Sequence, residues 1–396
     1  MTNTSTRLFA KSGVGGSHLW LWVMAAAVMI LTGCSTTFRH AQLPQNGQAR
    51  IPEIQIDPAT GVSSLELSVL IYNVAGLPWP IGCGKASRTV DEYGEKIPIA
   101  CNRSAALRAI GDSLGKLRRQ GLEPDIVMLQ EAFISAAAEI PVRAGYPNWV
   151  TGPGVSDLGL KYSGRASQNF IDERSFWKGE KLGKWQSSGL MLASNFPIKV
   201  VYKHPFNQWE CAGFDCLANK GLLVAEIEVP GLPYHLRVAT THFNSRGRSG
   251  VSSERALIAH NLQLDEARDF LRTIINRDLP FIWGGDLNMR NSNDRLVYFV
   301  ETSIFRINEV SAFCSAYPED CETQFEWRSD APWQETQDLQ GWVPGNQISI
   351  MPLSMEMLFD DPVDGIMLSD HDGVFVKYRL SWPVPSNLSP VSPEIR

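Results

Sequence analysis

The sequence lacks several features that would decide its class at once. No strand-to-helix nucleophile elbow occurs: the one Gly-x-Ser-x-Gly match, Gly111-Asp112-Ser113-Leu114-Gly115, lies inside a helically spaced segment, so the usual serine chemistry of an α/β-hydrolase is not expected. No glycine-rich loop ending in Gly-Lys-Ser/Thr occurs, which excludes a P-loop nucleotide hydrolase. No Cys-x-x-Cys spacing of a structural zinc site is present, and there is no internal repeat. An excess of basic residues is missing too: 36 Lys and Arg stand against 42 Asp and Glu, for a net charge of −6. General nucleic-acid affinity comes from cations neutralising phosphates, so nucleic acid is not the expected partner. A compact site with its own cation stays open. What is present is a 396-residue chain with 44% hydrophobic and 20% charged residues, which fits one large globular domain or two ordinary ones.

The first residues read as an address rather than as fold. Arg7 and Lys11 precede an apolar run from Leu19 to Thr32, and no acid occurs before Cys34. That run is shorter than the about 20 residues of a bilayer span and has the length of a signal-peptide core. Leu31-Thr32-Gly33-Cys34 resembles the lipobox of bacterial lipoproteins. The resemblance implies that residues 1–33 are a signal peptide and that Cys34 is lipidated. Ser35 stands where inner-membrane lipoproteins carry Asp, which implies a Gram-negative outer membrane, on the periplasmic or the surface side. Loss of Arg7 and Lys11 with the leader leaves 34 basic against 42 acidic residues, a net charge of −8.

Residues 34–65 are polar with several Pro and Gly and read as a tether, 66–382 as the folded domain, and 383–396 as a Pro/Ser-rich flexible tail. Seven cysteines less Cys34 leave six, an even number that suggests three disulfides in an exported chain. Neighbour pairing is expected: Cys83–Cys101, Cys211–Cys216 and Cys314–Cys321.

Short runs rich in Val, Ile and Leu predict strands at 67–73, 125–131, 189–194, 221–229, 236–242, 280–286, 363–369 and 373–380. Two segments have helical spacing. Residues 103–120 place Leu107, Ile110, Leu114 and Leu117 on one face before a Gly121 stop, and 253–276 align Leu257, Leu264, Leu271 and Ile274. Many strands with few long helices predict stacked sheets covered by helices. Residues 311–355 have weak periodicity and much Trp, Gln, Ser and Pro, and read as a long functional loop or insertion.

Polar residues recur at the C-terminal ends of these strands: Asn73, Glu131, His242, Asp286 with Asn288, and Asp370 with His371. A buried strand is a costly place for an unpaired carboxylate, so convergence of these ends on one hydrophilic site is the simplest reading. The set offers hard oxygen ligands for a magnesium-like ion, two imidazoles, and amides for phosphate oxygens. Tyr72-Asn73, Leu129-Gln130-Glu131, Ser188-Gly189-Leu190, Thr241-His242, Gly285-Asp286-Leu287-Asn288 and Ser369-Asp370-His371 resemble, in order and spacing, the endonuclease/exonuclease/phosphatase superfamily. The resemblance implies an α+β fold, the four-layer α/β/β/α sandwich of DNase I type, with a divalent cation, Mg2+ or another, at one end. It implies Glu131 as the main metal ligand with Asn73 and Asp370 in support, and His371 as the general base oriented by Asp364. Asp286 orients or polarises the nucleophile, and Asn288 and His242 hold phosphate oxygens.

The segment Cys211–Gly221 adds that Asp215 and Lys220 resemble a substrate loop of neutral sphingomyelinases, beside the plainer reading of a disulfide-closed turn. A lipid-anchored, monomeric phospholipid phosphodiesterase is the first expectation. An exported nuclease or phosphomonoesterase on the same scaffold is the second, and a silent binding lipoprotein the third. His204, His235 and His260 read as structural. Trp177, Trp185, Trp327, Trp333 and Trp342 read as packing residues, or in part as an exposed patch touching lipid.

Overall fold

The computed structural model describes residues 51–383 apart from 79–80, 82–85, 91–95, 159–163, 275, 303–307 and 328–330. Its strands are β1 (Ile54–Asp57), β2 (Val62–Asn73), β3 (Ala86–Val90), β4 (Lys96–Pro98), β5 (Ile126–Gln130), β6 (Asn148–Thr151), β7 (Met191–Ser194) and β8 (Ile198–Pro205). They continue with β9 (Gly221–Ile227), β10 (Leu236–His242), β11 (Phe281–Asp286), β12 (Asn308–Glu309), β13 (Glu322–Thr323), β14 (Asp338–Val343), β15 (Ser349–Leu358) and β16 (Gly373–Pro383). The α-helices are α1 (Arg103–Gln120), α2 (Glu139–Ala144), α3 (Gln168–Asp172), α4 (Ser253–Ile274), α5 (Asn293–Thr302) and α6 (Val310–Ala316).

Two large mixed sheets form the two inner layers. One runs β13-β15-β16-β2-β5-β7-β6 with β1 alongside β2, and the other runs β12-β14-β11-β10-β9-β8. Leu67, Val69, Ile71, Met128 and Val376 of the first sheet meet Leu223, Val238, Ile282 and Trp342 of the second in a shared core. The outer face of the first sheet is covered by α1 and α2 through Leu107, Ile110, Leu114 and Ile140. The outer face of the second is covered by α4 and α5 through Leu264, Leu271 and Phe299. Each sheet thus buries both faces, so β5 and residues 67–73 of β2 are buried at every position, while the first half of β2 alternates. The architecture is the α/β/β/α sandwich of DNase I type.

Both long helices occur where their spacing puts them. Asn102 caps α1 by accepting from Ala105 N, and Gly121 at φ +72° ends it in the left-handed conformation. Seven of the eight expected strands form. The eighth, 363–369, does not: Pro362, a left-handed Asp364 and Gly365 make a turn, and the only pairing there is the isolated bridges Val363–Ile366 and Ile99–Met367. The expected loop at 311–355 instead contains α6, β13, all of β14 and most of β15. Trp342 is accordingly a core residue of β14. These strands escape periodicity because β14 is buried on both faces and β15 is interrupted by a bulge at Pro352.

Folding also begins earlier than residue 66, since β1 pairs with the first residues of β2 inside the stretch read as tether. The pairs Cys211–Cys216 and Cys314–Cys321 are disulfides. Cys83 lies outside the described residues, as do residues 1–50 with the leader and Cys34, and the tail from 384. No helix among the described residues is long and apolar enough to cross a membrane.

Candidate active site

Strand direction decides which ends meet. In the first sheet β2 and β5 run parallel, with Asn73 beside Gln130, so Asn73 and the following Glu131 leave the sheet together. In the second sheet His242 of β10 is the register partner of Asp286 on β11, and Asp286 is the partner of Asp338 on β14. β16 is antiparallel to β2, with Val374 opposite Ile71, so Ser369, Asp370 and His371 just before it arrive at the same edge. The tight crossing of β10 and β11 needs Gly285: a Cβ there would lie 2.2 Å from the Thr241 carbonyl oxygen.

The side chains interlock. Asn73 Nδ2 donates to Asp286 Oδ2 at 2.9 Å and to Glu131 Oε1 at 3.2 Å, tying the two sheets together. Its own Oδ1 accepts from Ala75 N at 3.0 Å, so the amide presents donors, not its oxygen, to the carboxylates. Asp286 Oδ1 accepts from Asn288 N at 3.0 Å, and its Oδ2 lies 3.5 Å from His242 Nε2 and 3.8 Å from His371 Nε2. Glu131 and Asn288 both sit at positive φ, +54° and +53°, a backbone strain held at the site by the surrounding bonds. Ser369 Oγ donates to the Asn73 carbonyl at 2.6 Å and receives His371 N at 3.2 Å. Buried Arg103 spans the Val74, Ala75 and Leu368 carbonyls, and buried Arg295 spans those of Asn244, Asn288 and Ala256. These two guanidiniums lock the loops that carry the site.

The orienting acid is the main correction to the sequence reading. His371 Nδ1 lies 2.7 Å from Asp338 Oδ2, while Asp364 is exposed in the turn before β16. The rule that looked for polar residues at C-terminal strand ends missed Asp338 because β14 is antiparallel to β11 and brings its N-terminal end to the same edge. Gln337, also unforeseen, sets its Nε2 3.1 Å from His371 Nε2. Asp370 accepts from Arg248 Nη2 at 2.9 Å at the rim. Lys220 is buried, 2.6 Å from Asp215 Oδ1 and donating to the Phe243 carbonyl at 2.9 Å, which also accepts from Asn288 Nδ2. Asp215 Oδ2 in turn accepts from Ser245 N and Oγ. The Asp215–Lys220 pair therefore reaches the site through the shared carbonyl. His204 and His260 are buried and bonded to Glu266 and to the Leu287 carbonyl, as structural histidines are.

The electrostatics ask for a cation. Burial, then the neighbouring Asp370, pushes the Glu131 carboxyl up. Burial and Asp338 push Asp286 up. Burial, then Lys220 and His371, drives His242 well below the usual imidazole range. Burial alone would lower His371, but Asp338 and then Asp286 and Asp370 outweigh it and raise the imidazole to about 10. Two clusters, Glu131–His242–Asp286 and Asp286–Asp338–His371, each hold ligand atoms within 4.8 Å of one another. His242 Nδ1 and Asp338 Oδ1 are buried with no hydrogen-bond partner. Crowded carboxylates with orphaned donor atoms fit a hard divalent cation.

The chain matches the Endonuclease/Exonuclease/phosphatase family over residues 72–377 and belongs to it. It is a divalent-metal-dependent phosphoric ester hydrolase, with magnesium as the fitting cofactor. Among solved structures it is similar to beta toxin from Staphylococcus aureus, at 20% identity and TM-score 0.50, over 78% of this chain and 99% of that one. A double mutant of the same beta toxin with bound magnesium ions matches at 18% identity and TM-score 0.50, again over 78% and 99%. Sphingomyelinase C from Streptomyces griseocarneus matches at 18% identity and TM-score 0.48, over 79% and 99%. No curated protein sequence matches.

Proposed function

We propose that the protein hydrolyses a phosphodiester, most specifically the headgroup ester of a phospholipid in the manner of a sphingomyelinase, while tethered to an outer membrane through lipidated Cys34. The observation that carries the reading is the meeting of two sheet edges: Asn73 and Glu131 from one, His242, Asp286 and Asp338 from the other, with His371 between them. Glu131, with Asp286 beside it in the cluster, would hold the metal. When bound, Mg2+ supplies positive charge against the phosphoryl oxygens and offsets the carboxylates that keep His371 protonated.

The remaining chemistry belongs to the chain. Asp338 holds Nδ1 of His371, which makes Nε2, now 3.1 Å from the Gln337 amide, the nitrogen that takes a proton from the attacking water once that water replaces the amide. Asp286 lies 3.8 Å from that Nε2, placed to align the water. His242 and Asn288 flank Asp286 and hold phosphoryl oxygens. Lys220, kept in place by Asp215, adds fixed positive charge behind Asn288. The Asp215–Lys220 pair and the acidic chain favour a lipid phosphodiester over nucleic acid.

The test is a panel of phosphodiesters assayed with magnesium and with chelator. Chelator-sensitive release of phosphocholine from sphingomyelin or phosphatidylcholine is expected. Release of nucleotides alone would move the protein to the nuclease reading, and no turnover of any substrate would leave it a binding lipoprotein.

A further inference from the structure

We propose that the rim built from loops 152–158, 174–185 and 211–217 is a docking surface for an anionic lipid bilayer. The proposal deepens the phospholipid reading by naming the surface on which that substrate is met, and rests on it only for the substrate's location.

Five of the six exposed aromatic side chains among the described residues fall between 176 and 214: Phe176, Trp177, Trp185, Trp209 and Phe214. Trp177 is 85% exposed and Leu158, on the neighbouring loop, 93%. Large apolar side chains left in water at this density mark an interaction site. Trp and Phe beside Lys are the composition that partitions to a membrane interface, where the rings sit at headgroup depth and the cations meet anionic lipid.

The loops form one unit. Phe176 and Trp177 pack edge to face at 5.5 Å, and Lys178 Nζ stands 6.0 Å over the Phe214 ring. Glu180, buried, accepts from Gly213 N at 2.9 Å and from Arg255 Nε at 2.8 Å, so its charge is already paired inside the protein. Trp185 N donates to the Leu217 carbonyl at 2.7 Å. Asn219 Nδ2 binds the carbonyls of Gly154 and Asp157 and so holds the loop that carries Leu158.

Charge complementarity selects the partner. Across the three loops stand Arg174, Lys178, Lys181 and Lys184 against Asp157, Glu180 and Asp215, of which Glu180 is paired with Arg255, Asp215 with Lys220, and Asp157 accepts from Gly154 N, in a chain of net charge −6. Lys178 and Lys181 are the exposed cations. The rim also reaches the active site by short paths. Phe214 adjoins Asp215, which holds Lys220, and the Gly189 carbonyl, four residues after Trp185, accepts from Ala132 N beside Glu131 at 2.8 Å. A bilayer seated on this rim would bring headgroups to the mouth of the site.

The experiment is hydrogen–deuterium exchange on the full chain, wild type and Phe176→Ser/Trp177→Ser. The ligands are phosphatidylcholine vesicles with one-third phosphatidylglycerol, pure phosphatidylcholine vesicles, and a single-stranded oligonucleotide. Exchange locates the contact even where a lipid anchor already holds the protein to vesicles. Expected are protection of 175–185 and 211–217 by the anionic vesicles, and an apparent vesicle affinity about tenfold lower in the double variant. Hydrolysis of a soluble chromogenic phosphodiester should be unchanged, because neither side chain touches the site. No protection of these loops, or protection equal in the variant, overturns the proposal. Protection by the oligonucleotide and not by vesicles overturns it in favour of a nucleic-acid surface. Failure to hydrolyse the soluble ester would strike the enzymatic reading, while the docking proposal stands or falls on the exchange data alone.

Discussion

Asp338→Asn is the sharpest perturbation of the site. The side chain keeps its shape and can still accept from His371 Nδ1, so what is removed is charge. At 2.7 Å the carboxylate and an imidazolium attract strongly. With an effective dielectric near 20, two unit charges at that distance gain roughly 6 kcal/mol. Without it, burial dominates and the imidazole, raised to about 10 in the metal-free protein, should fall steeply. A histidine carbon- or nitrogen-detected NMR titration of the metal-free protein reads this directly. Loss of the orienting charge should lower the rate of phosphodiester hydrolysis by about 10²–10⁴, the range for a displaced general base. Asp364→Asn is the control. Asp364 is exposed at φ +52°, a conformation Asn tolerates, and its rate should stay within about twofold of wild type. A wild-type rate in Asp338→Asn, or equal damage in both variants, would refute the assignment.

Two further outcomes follow from the same electrostatics. Asp286 has its carboxyl raised above 3.8 in the fold by burial and Asp338, so the native state holds its proton more tightly than the unfolded chain. The sign is that stability is lost as pH rises from the ordinary carboxylate range toward neutrality. The metal-free protein should therefore melt lower at pH 7.5 than at pH 5, and Asp286→Asn should flatten that dependence in a thermal scan. Magnesium at about 100 times its dissociation constant should stabilise the wild type by roughly 2.7 kcal/mol in urea titrations. Glu131→Gln should lose most of that gain, and an undiminished gain would remove Glu131 from the metal site.

Much of the fold was legible because it is written locally. α1 and α4 carry apolar residues at helical spacing, and α1 adds an Asn102 cap and a Gly121 stop. The inner strands β5, β10 and the second half of β2 are buried at every residue because both faces of each sheet are covered there. Glu131, His242, Asp286 and His371 stood out because a polar side chain at the end of such a run needs a partner. What failed did so where the signal is not local. β14 and β15 lie in a stretch of mixed composition whose burial depends on what packs over it, and a bulge at Pro352 breaks β15's alternation. The turn around Asp364 imitated a strand by composition alone.

Local chemistry in the chain was thus enough to establish stacked sheets covered by helices, the two helices, most of the strands and the residue types at the reactive edge, while the four-layer α/β/β/α order came from the family resemblance. Tertiary structure alone decided which acid serves His371, that Asn73 bridges the sheets with its amide donors, and that Lys220 reaches the site through Asp215 and the Phe243 carbonyl. The physical reason is that hydrophobic period and capping depend on neighbours a few residues away, whereas strand direction and register join residues far apart in the chain. Asp286 and Asp338 become partners only once β14 is laid antiparallel against β11.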